Sequence, residues 1–310
     1  KNIPLNIKEV RPHFILSVPA LAKTFKKNIE QGIRAKGPTA VRLFNWGMKI
    51  RQMYFGDSNL DFKGFRLFLK PLVALFDKII FSKVRENFGG ELRFFIGGGA
   101  LLDKDLQKFY VGIGMPMFQG YGLSEATPVI SSNGPGLYRF GSSGKLVKPI
   151  ELKICDSEGK ELPVGEMGEI VVKGENVMAG YWKNPKSTAD TIVDGWLHTG
   201  DLACKDDNGN YRITGRLKDM IIRGGENIYP KEIEEFIYTH PKVRDVQVVG
   251  VPDERYGEEC CAWIILHKGE EATEEEMREF GNTYIARHKV PRYFVFVQEF
   301  PMNAAGKILK

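Results

Sequence analysis

The sequence predicts a mixed α/β protein in two parts, and three observations predict it. Between 13 and 130, helix-spaced apolar residues such as Leu21, Phe25, Ile29 and Ile33 give way to short apolar strands at Leu92-Arg93-Phe94-Phe95-Ile96 and Met117-Phe118-Gln119, the pattern of an α/β sheet layer. Between 138 and 213, short alternating runs such as Glu151-Leu152-Lys153-Ile154 and Glu169-Ile170-Val171-Val172-Lys173 are separated by Gly, Pro, Asn and Asp turns, which predicts a small β-barrel or twisted sheet. From 220 onward, a helix over 230–238, strands over 244–251 and 259–266, a helix over 273–288 and a strand over 293–297 make a compact α+β unit. The expected larger domain is 1–216, with an α/β subdomain over about 1–133 and a β-barrel-like subdomain over about 134–216; the C-terminal α+β domain is 217–310.

Composition narrows the function classes. A chain of 310 residues that is 43% hydrophobic and 27% charged is globular and long enough for two domains. Four cysteines, two of them adjacent as Cys260-Cys261 in an apolar run, fit buried thiols in a reducing compartment, which leads us to expect a cytoplasmic protein. A metal centre built on Cys and His is disfavoured, because no CxxC pair occurs and the five histidines are scattered. No apolar run approaches a transmembrane span. Lys1-Asn2-Ile3-Pro4 has neither an initiator Met nor an apolar leader behind it, so we expect the chain to begin inside a longer protein.

The net charge of +5 conceals an asymmetry. Residues 1–90 hold 17 Lys and Arg against 6 Asp and Glu, a net of +11, while the other 220 residues carry 27 against 33, a net of −6. The mixture of bases and apolar residues in the stretch 64–87 has the composition of a segment lying peripherally on the anionic inner face of a membrane. The simpler reading is better supported: Leu75, Ile79 and Ser82 or Lys83 have the spacing of a core-facing helix with a solvated basic side. No nucleic-acid-binding motif accompanies the bases.

The stretch 215–234, GRLKDMIIRGGENIYPKEIE, concentrates residues that no simple structural need explains. Arg216, Lys218 and Asp219 cluster charge where a strand ends, Gly224-Gly225 leaves backbone that a ligand can approach, and Pro230 opens an acid-started helix. Elsewhere Gly97-Gly98-Gly99-Ala100 follows an apolar strand at the end where ligands bind in open α/β sheets; a triple glycine is also a common loop. Gly120-Tyr121-Gly122 offers an aromatic face, or a buried aromatic bonded through its hydroxyl; Ser124 offers a hydroxyl for a phosphate oxygen and Glu125 a hard carboxylate suited to Mg²⁺. Asp201 in His198-Thr199-Gly200-Asp201 is an acceptor-only group suited to vicinal hydroxyls, or a turn-forming Asp after Gly.

Taken in order, GGGALL (97–102), GYGLSEATP (120–128), WLHTGDL (196–202), the 215–234 stretch and NAAGK (303–307) resemble the adenylate-forming superfamily of acyl-CoA synthetases, luciferases and peptide-synthetase adenylation domains. The resemblance runs over nearly the whole chain. It implies that Gly98, Gly99, Ala100, Tyr121, Gly122, Asp201 and Arg216 bind the nucleotide, with Tyr121 on adenine, Asp201 on the ribose and Arg216 reaching the ribose or phosphate. It implies that Ser124 contacts the α-phosphate, Glu125 supports Mg²⁺ and Lys307 bridges the substrate carboxylate and the α-phosphate. Lys218 stands at the family's hinge, and after rotation of the C-terminal domain Gly224-Gly225 would line the channel for the thiol.

The implied reaction is ATP-dependent activation of a carboxylic acid through an acyl-adenylate, then thioester formation with coenzyme A. The wording FSKVRENFGGELRFFIGGGALL and the roughly 70 residues before it resemble the long-chain fatty acyl-CoA synthetases, so a long-chain fatty acid is the expected substrate. The alternatives are an aryl- or medium-chain acid–CoA ligase, an acyl carrier protein as acceptor, and a non-catalytic nucleotide- or CoA-binding module. One departure stands out: nothing in 1–96 resembles the family's Gly-rich phosphate loop, so we expect the parent protein to be the active ligase and the 310-residue chain not to be.

Overall fold

The computed structural model describes residues 3–57, 64–98, 102–302 and 308–309. After α1 (Ile3–Val10) and β1 (Phe14–Ser17), prolines open two long helices, α2 (Pro19–Arg34) and α3 (Pro38–Phe55), in the first turn, where a missing N–H costs nothing. A 3₁₀ turn at Gly64–Leu69 leads into α4 (Lys70–Phe76), a π-helical turn at Asp77–Phe81 and α5 (Ser82–Glu86). Then come β2 (Phe94–Gly97), α6 (Lys104–Gly112), β3 (Met117–Tyr121), β4 (Ser131–Ser132) and β5 (Lys145–Leu146). The strands form one sheet in the order β1-β2-β3-β4-β5, parallel from β1 to β3 and antiparallel beyond.

The helices bury this sheet under an aromatic-rich core in which Phe81, Phe95, Tyr110, Ile113 and Met115 are fully buried. Tyr110 stays there because its hydroxyl donates to the Ala22 carbonyl at 2.8 Å, and burial pushes its phenol well above the ordinary range. Gly47 lets α3 lie against the following helix: a Cβ there would stand 2.8 Å from the Phe76 ring.

Leu75 and Ile79 do not face the core as their spacing suggests; they are 49% and 48% exposed, and Phe76, Phe81 and Val84 are buried instead. The π turn is the cause. Ser82 donates its N–H to the Asp77 carbonyl five residues back, so the apolar face advances by five residues from Phe76 to Phe81 rather than by three or four.

The second part of the chain contains β6 (Glu151–Cys155), β7 (Met167–Lys173), α7 (Pro185–Thr191), β8 (Ile192–Val193), β9 (Trp196–Lys205) and β10 (Tyr211–Arg216). They give a sheet in the order β10-β9-β7-β6, with β8 paired to β9. Last come β11 (Ile221–Arg223), β12 (Glu226–Ile228), α8 (Pro230–Ile237), β13 (Val243–Asp253), β14 (Gly257–Leu266), α9 (Glu274–Tyr284) and β15 (Tyr293–Phe296). Their sheet runs β12-β11-β14-β13, with β15 parallel to β14, around a core of Ile228, Ile233, Val248, Cys260, Ile264 and Met277. The buried Glu234 fastens α8 to β13 by accepting the Val248 N–H at 2.9 Å. Thr273 caps α9 by accepting the Glu276 N–H. That helix stops at Tyr284 rather than 288, because Ile285 turns to extended backbone and packs on the core.

By internal contacts the chain divides into two units: Lys1–Met167, Val171–Thr199 and Cys204–Ile213 form one, and Gly168–Ile170, Gly200–Ala203 and Thr214–Lys310 the other. All four cysteines are free thiols; Cys155, Cys260 and Cys261 are buried and Cys204 is half-buried. Among the described residues, no helix is long and apolar enough to cross a membrane.

The first unit holds a charge network that tests its packing. Asp77 accepts from Arg51 at 2.7 Å and from both terminal nitrogens of Arg85 at 2.7 Å, and Arg51 is only 5% exposed at its side chain. The Arg85 hydrogen bond holds the Asp77 carboxyl below its usual range. A depressed folded-state pKa contributes stability above the unfolded value of about 3.9, lost as pH falls through the folded value. Asp77→Asn strands the Arg51 charge and should cost about 1–3 kcal/mol at pH 7, less than for a fully buried pair because Asp77 is partly exposed. Urea titrations of both proteins at pH 7 and pH 3 check this: the gap should be wide at pH 7 and narrow at pH 3.

Candidate active site

In the first unit the predicted residues gather at the ends of β2 and β3. Gly97 is the last residue of β2, and Gly98 donates to the Ser17 carbonyl at 3.3 Å. A Cβ at Gly98 would meet nothing within 4 Å among the described residues, so the backbone there is bare to a flat ring. Gly99 and Ala100 lie outside the described residues. The Leu102 N–H donates to Gln119 Oε1 at 2.6 Å, which ties Leu102 to β3. Tyr121 ends β3, half-buried. Gly122 has a packing reason of its own: a Cβ there would run into the Pro128 carbonyl.

Ser124 and Glu125 open a 3₁₀ turn, Ser124–Ala126, with Ser124 exposed and Glu125 half-buried. The segment 176–181 clamps that turn. Met178 N–H donates to the Glu125 carbonyl at 2.8 Å, Thr127 Oγ1 donates to the Asn176 carbonyl at 2.7 Å, and Asn176 Nδ2 donates to the Ala126 carbonyl at 2.8 Å. Tyr181 donates its hydroxyl to Glu125 Oε1 at 2.9 Å. Its phenol is raised, first by desolvation and then by the Glu125 charge it touches. Sequence reasoning missed Tyr181; the run Gly180-Tyr181-Trp182, 56 positions from its partner by hydrogen bond, was the available signal.

The second unit brings two more predicted residues together. Asp201 lies inside β9 rather than in a turn and is 7% exposed; Arg216, the last residue of β10, places Nε 3.1 Å from Asp201 Oδ1. Arg216, its side chain 45% exposed, therefore pairs with a buried carboxylate. The preceding Gly200 has φ +67° and donates its N–H to Glu169 Oε1 at 2.9 Å, fixing the strand where Asp201 leaves it.

Lys218 is exposed in the 3₁₀ turn Leu217–Asp219 that follows β10. Gly224 and Gly225 are the two loop residues of the β11–β12 hairpin, at φ +59° and +89°, the positive values a two-residue turn demands at both central positions. Arg223 anchors that hairpin, with its guanidinium 4.2 Å from the Tyr256 ring centroid and 2.7 Å from the buried Glu259 carboxylate. Gly224 N–H donates to the Tyr256 carbonyl at 2.8 Å. Lys307 lies outside the described residues.

Among the described residues no group of three or more His, Cys, Asp and Glu could hold a metal ion. A single carboxylate at Glu125 suits Mg²⁺, which keeps most of its waters and takes substrate phosphate oxygens as further ligands.

Known proteins are similar to this chain. The chain is 50% identical over 195 residues to a protein named as an acyl-CoA synthetase, YngI, of Bacillus subtilis, covering 61% of this chain and 36% of that protein. It is 42% identical over 227 residues to 2-succinylbenzoate–CoA ligase of Bacillus cytotoxicus, covering 73% of this chain and 47% of that one. It is 47% identical over 195 residues to the mitochondrial medium-chain acyl-CoA ligase ACSF2 of Rattus norvegicus, covering 61% and 32%. The chain thus spans 32–47% of the length of these curated relatives. The solved structure of ATP-bound MatB from Rhodopseudomonas palustris superposes with a TM-score of 0.67 at 34% identity, covering 76% of this chain and 48% of MatB. Residues 232–307 match the AMP-binding enzyme C-terminal domain, and residues 2–182, more than half of the chain, match the AMP-binding enzyme model. The chain belongs to the AMP-binding enzyme family.

Proposed function

We propose that this chain forms part of an AMP-forming acid–thiol ligase. A carboxylate oxygen of the substrate attacks the α-phosphorus of ATP and pyrophosphate leaves; the thiol sulfur of coenzyme A then attacks the acyl carbon and AMP leaves. The observation that carries the reading is the buried Asp201 carboxylate held by Arg216. Two ribose hydroxyls need an oriented acceptor, and the guanidinium beside Asp201 holds its carboxylate in place.

The remaining roles rest on the chemistry of each group. Gly98 and Tyr121 take the adenine between open backbone and an aromatic face, and Ser124 donates to an α-phosphate oxygen. Glu125, oriented by Tyr181, would hold Mg²⁺, which when bound neutralises phosphate charge. Lys307 would bridge the carboxylate and the α-phosphate as their like charges approach. Lys218, at the turn after β10, is the pivot about which residues 217–310 would reorient between the two half-reactions, bringing Gly224-Gly225 to the thiol's path.

The substrate reading is corrected from the expected one. The relatives act, by their names, on medium-chain and aromatic acids, which supports a medium-chain or aryl acid and gives no support to a long-chain one. The acceptor is coenzyme A on the same ground.

Two measurements on the full-length protein check these roles. Lys307→Ala should slow acyl-adenylate formation by about a hundredfold or more while leaving thioester formation from a supplied acyl-adenylate within about threefold, because one lysine serves one orientation; equal losses in both half-reactions refute the role. In a panel of acids, octanoate or a substituted benzoate should give a kcat/KM at least about tenfold above palmitate. Preference for palmitate would restore the long-chain reading.

A further inference from the structure

A cavity, lined by none of the candidate active-site residues, opens between α2, α3 and the helical stretch from the π turn to Phe88. Its volume is about 450 Å³, within the range of small-molecule sites. Carbon dominates its wall: Phe25, Ile29 and Ile33 from α2, Phe44 from α3, and Ile80 and Phe88 from the third side.

Two features mark it as more than imperfect packing. Gly32 sits within α2, where glycine costs about 1 kcal/mol against alanine, and a Cβ there would meet nothing within 4 Å. The glycine leaves the exposed cavity wall bare at the expense of the helix. On the opposite side the π turn brings both Ile79 and Ile80 to the cavity wall, and such turns are frequent at functional sites.

Charge selects the ligand. Lys36 and Lys83 also line the cavity, and neither ammonium has an ion-pair partner among the described residues. Asn28 and Asn87 complete the polar part of the wall. An apolar pocket with unpaired cations suits a single apolar tail carrying one anionic head. We propose that this cavity binds a monocarboxylate amphiphile of medium length, its tail among Phe25, Ile29, Phe44 and Ile80 and its carboxylate at Lys36 or Lys83, separately from the site that activates the substrate acid.

The test is photocrosslinking of the 310-residue chain with decanoate bearing a terminal diazirine, mapped by peptide mass spectrometry. That readout separates this cavity from the active site, so it stands whether or not the chain's parent is a ligase. Label is expected in peptides spanning 25–44 and 79–88, displaced by decanoate and far less by the neutral decanol. Gly32→Leu fills the cavity without harming the helix and should cut that labelling about tenfold, whereas Gly32→Ala should leave it within about twofold. Lys36→Met/Lys83→Met should weaken displacement by decanoate about fivefold and leave decanol unchanged. Circular dichroism melts confirm that each variant is folded. Label confined to other peptides, labelling indifferent to Gly32→Leu in a folded variant, or equal displacement by decanol and decanoate would overturn the proposal. Loss of all labelling when the preceding part of the full-length protein is present would assign the cavity to that segment and overturn it too.

Discussion

A carboxylate withdrawn from water must be given a cation or an N–H, and this constraint organises both units. Asp77 is met by Arg51 and Arg85, Asp201 by Arg216, Glu259 by Arg223, and Glu234 by the Val248 N–H. Each pairing joins separate elements and fixes their register more narrowly than apolar packing does. Removing the partner of a buried member, Arg51 or Glu259, leaves a charge unpaired and dry, which is the costly event. The pairs serve different ends. Asp77 ties helices together beneath the first sheet, Glu259 steadies the hairpin that carries Gly224-Gly225, and only Asp201 is placed in the proposed chemistry.

Glycine plays three distinct roles that a sequence cannot separate. Gly122 is dictated by the nearby Pro128 carbonyl, Gly224 and Gly225 by the positive φ of a two-residue hairpin, and Gly98 by nothing in the described structure that touches it. A glycine with open space beside it is the one that invites a ligand explanation. By that criterion Gly98 is the stronger of the two described glycines predicted to bind the nucleotide and Gly122 the weaker. The hairpin accounts for Gly224-Gly225 locally; lining a thiol channel is a use to which the same bare backbone would be put.

Much of the fold was legible because periodicity reports burial. The spacing of Leu21, Phe25, Ile29 and Ile33 gave α2, and the apolar runs at 92–96, 117–119 and 259–266 gave strands at or within a few residues of their observed positions. The failure at Leu75 and Ile79 came from assuming 3.6 residues per turn through a segment that widens into a π turn. Helix α9 ended early for a tertiary reason, the burial of Ile285, which no local propensity encodes. In the site, Asp201 and Arg216 were legible as motif residues, but their contact across two strands was not, nor was the grip of Tyr181 on Glu125 from another loop. Long-range pairs are invisible to local pattern. The long-chain expectation rested on the wording around 81–102, whereas two of the relatives are named for a medium-chain acyl group and for 2-succinylbenzoate.

The central claim is that the buried Asp201, held by Arg216, reads the ribose hydroxyls of the nucleotide. Calorimetry on the full-length protein with AMP and with 2′,3′-dideoxyadenosine monophosphate tests it most directly. The account expects AMP to bind about tenfold or more tightly, the magnitude of a lost charge-assisted hydrogen bond, and Asp201→Asn to erase most of that preference without unfolding the protein. A preference for AMP that survives Asp201→Asn undiminished would contradict it.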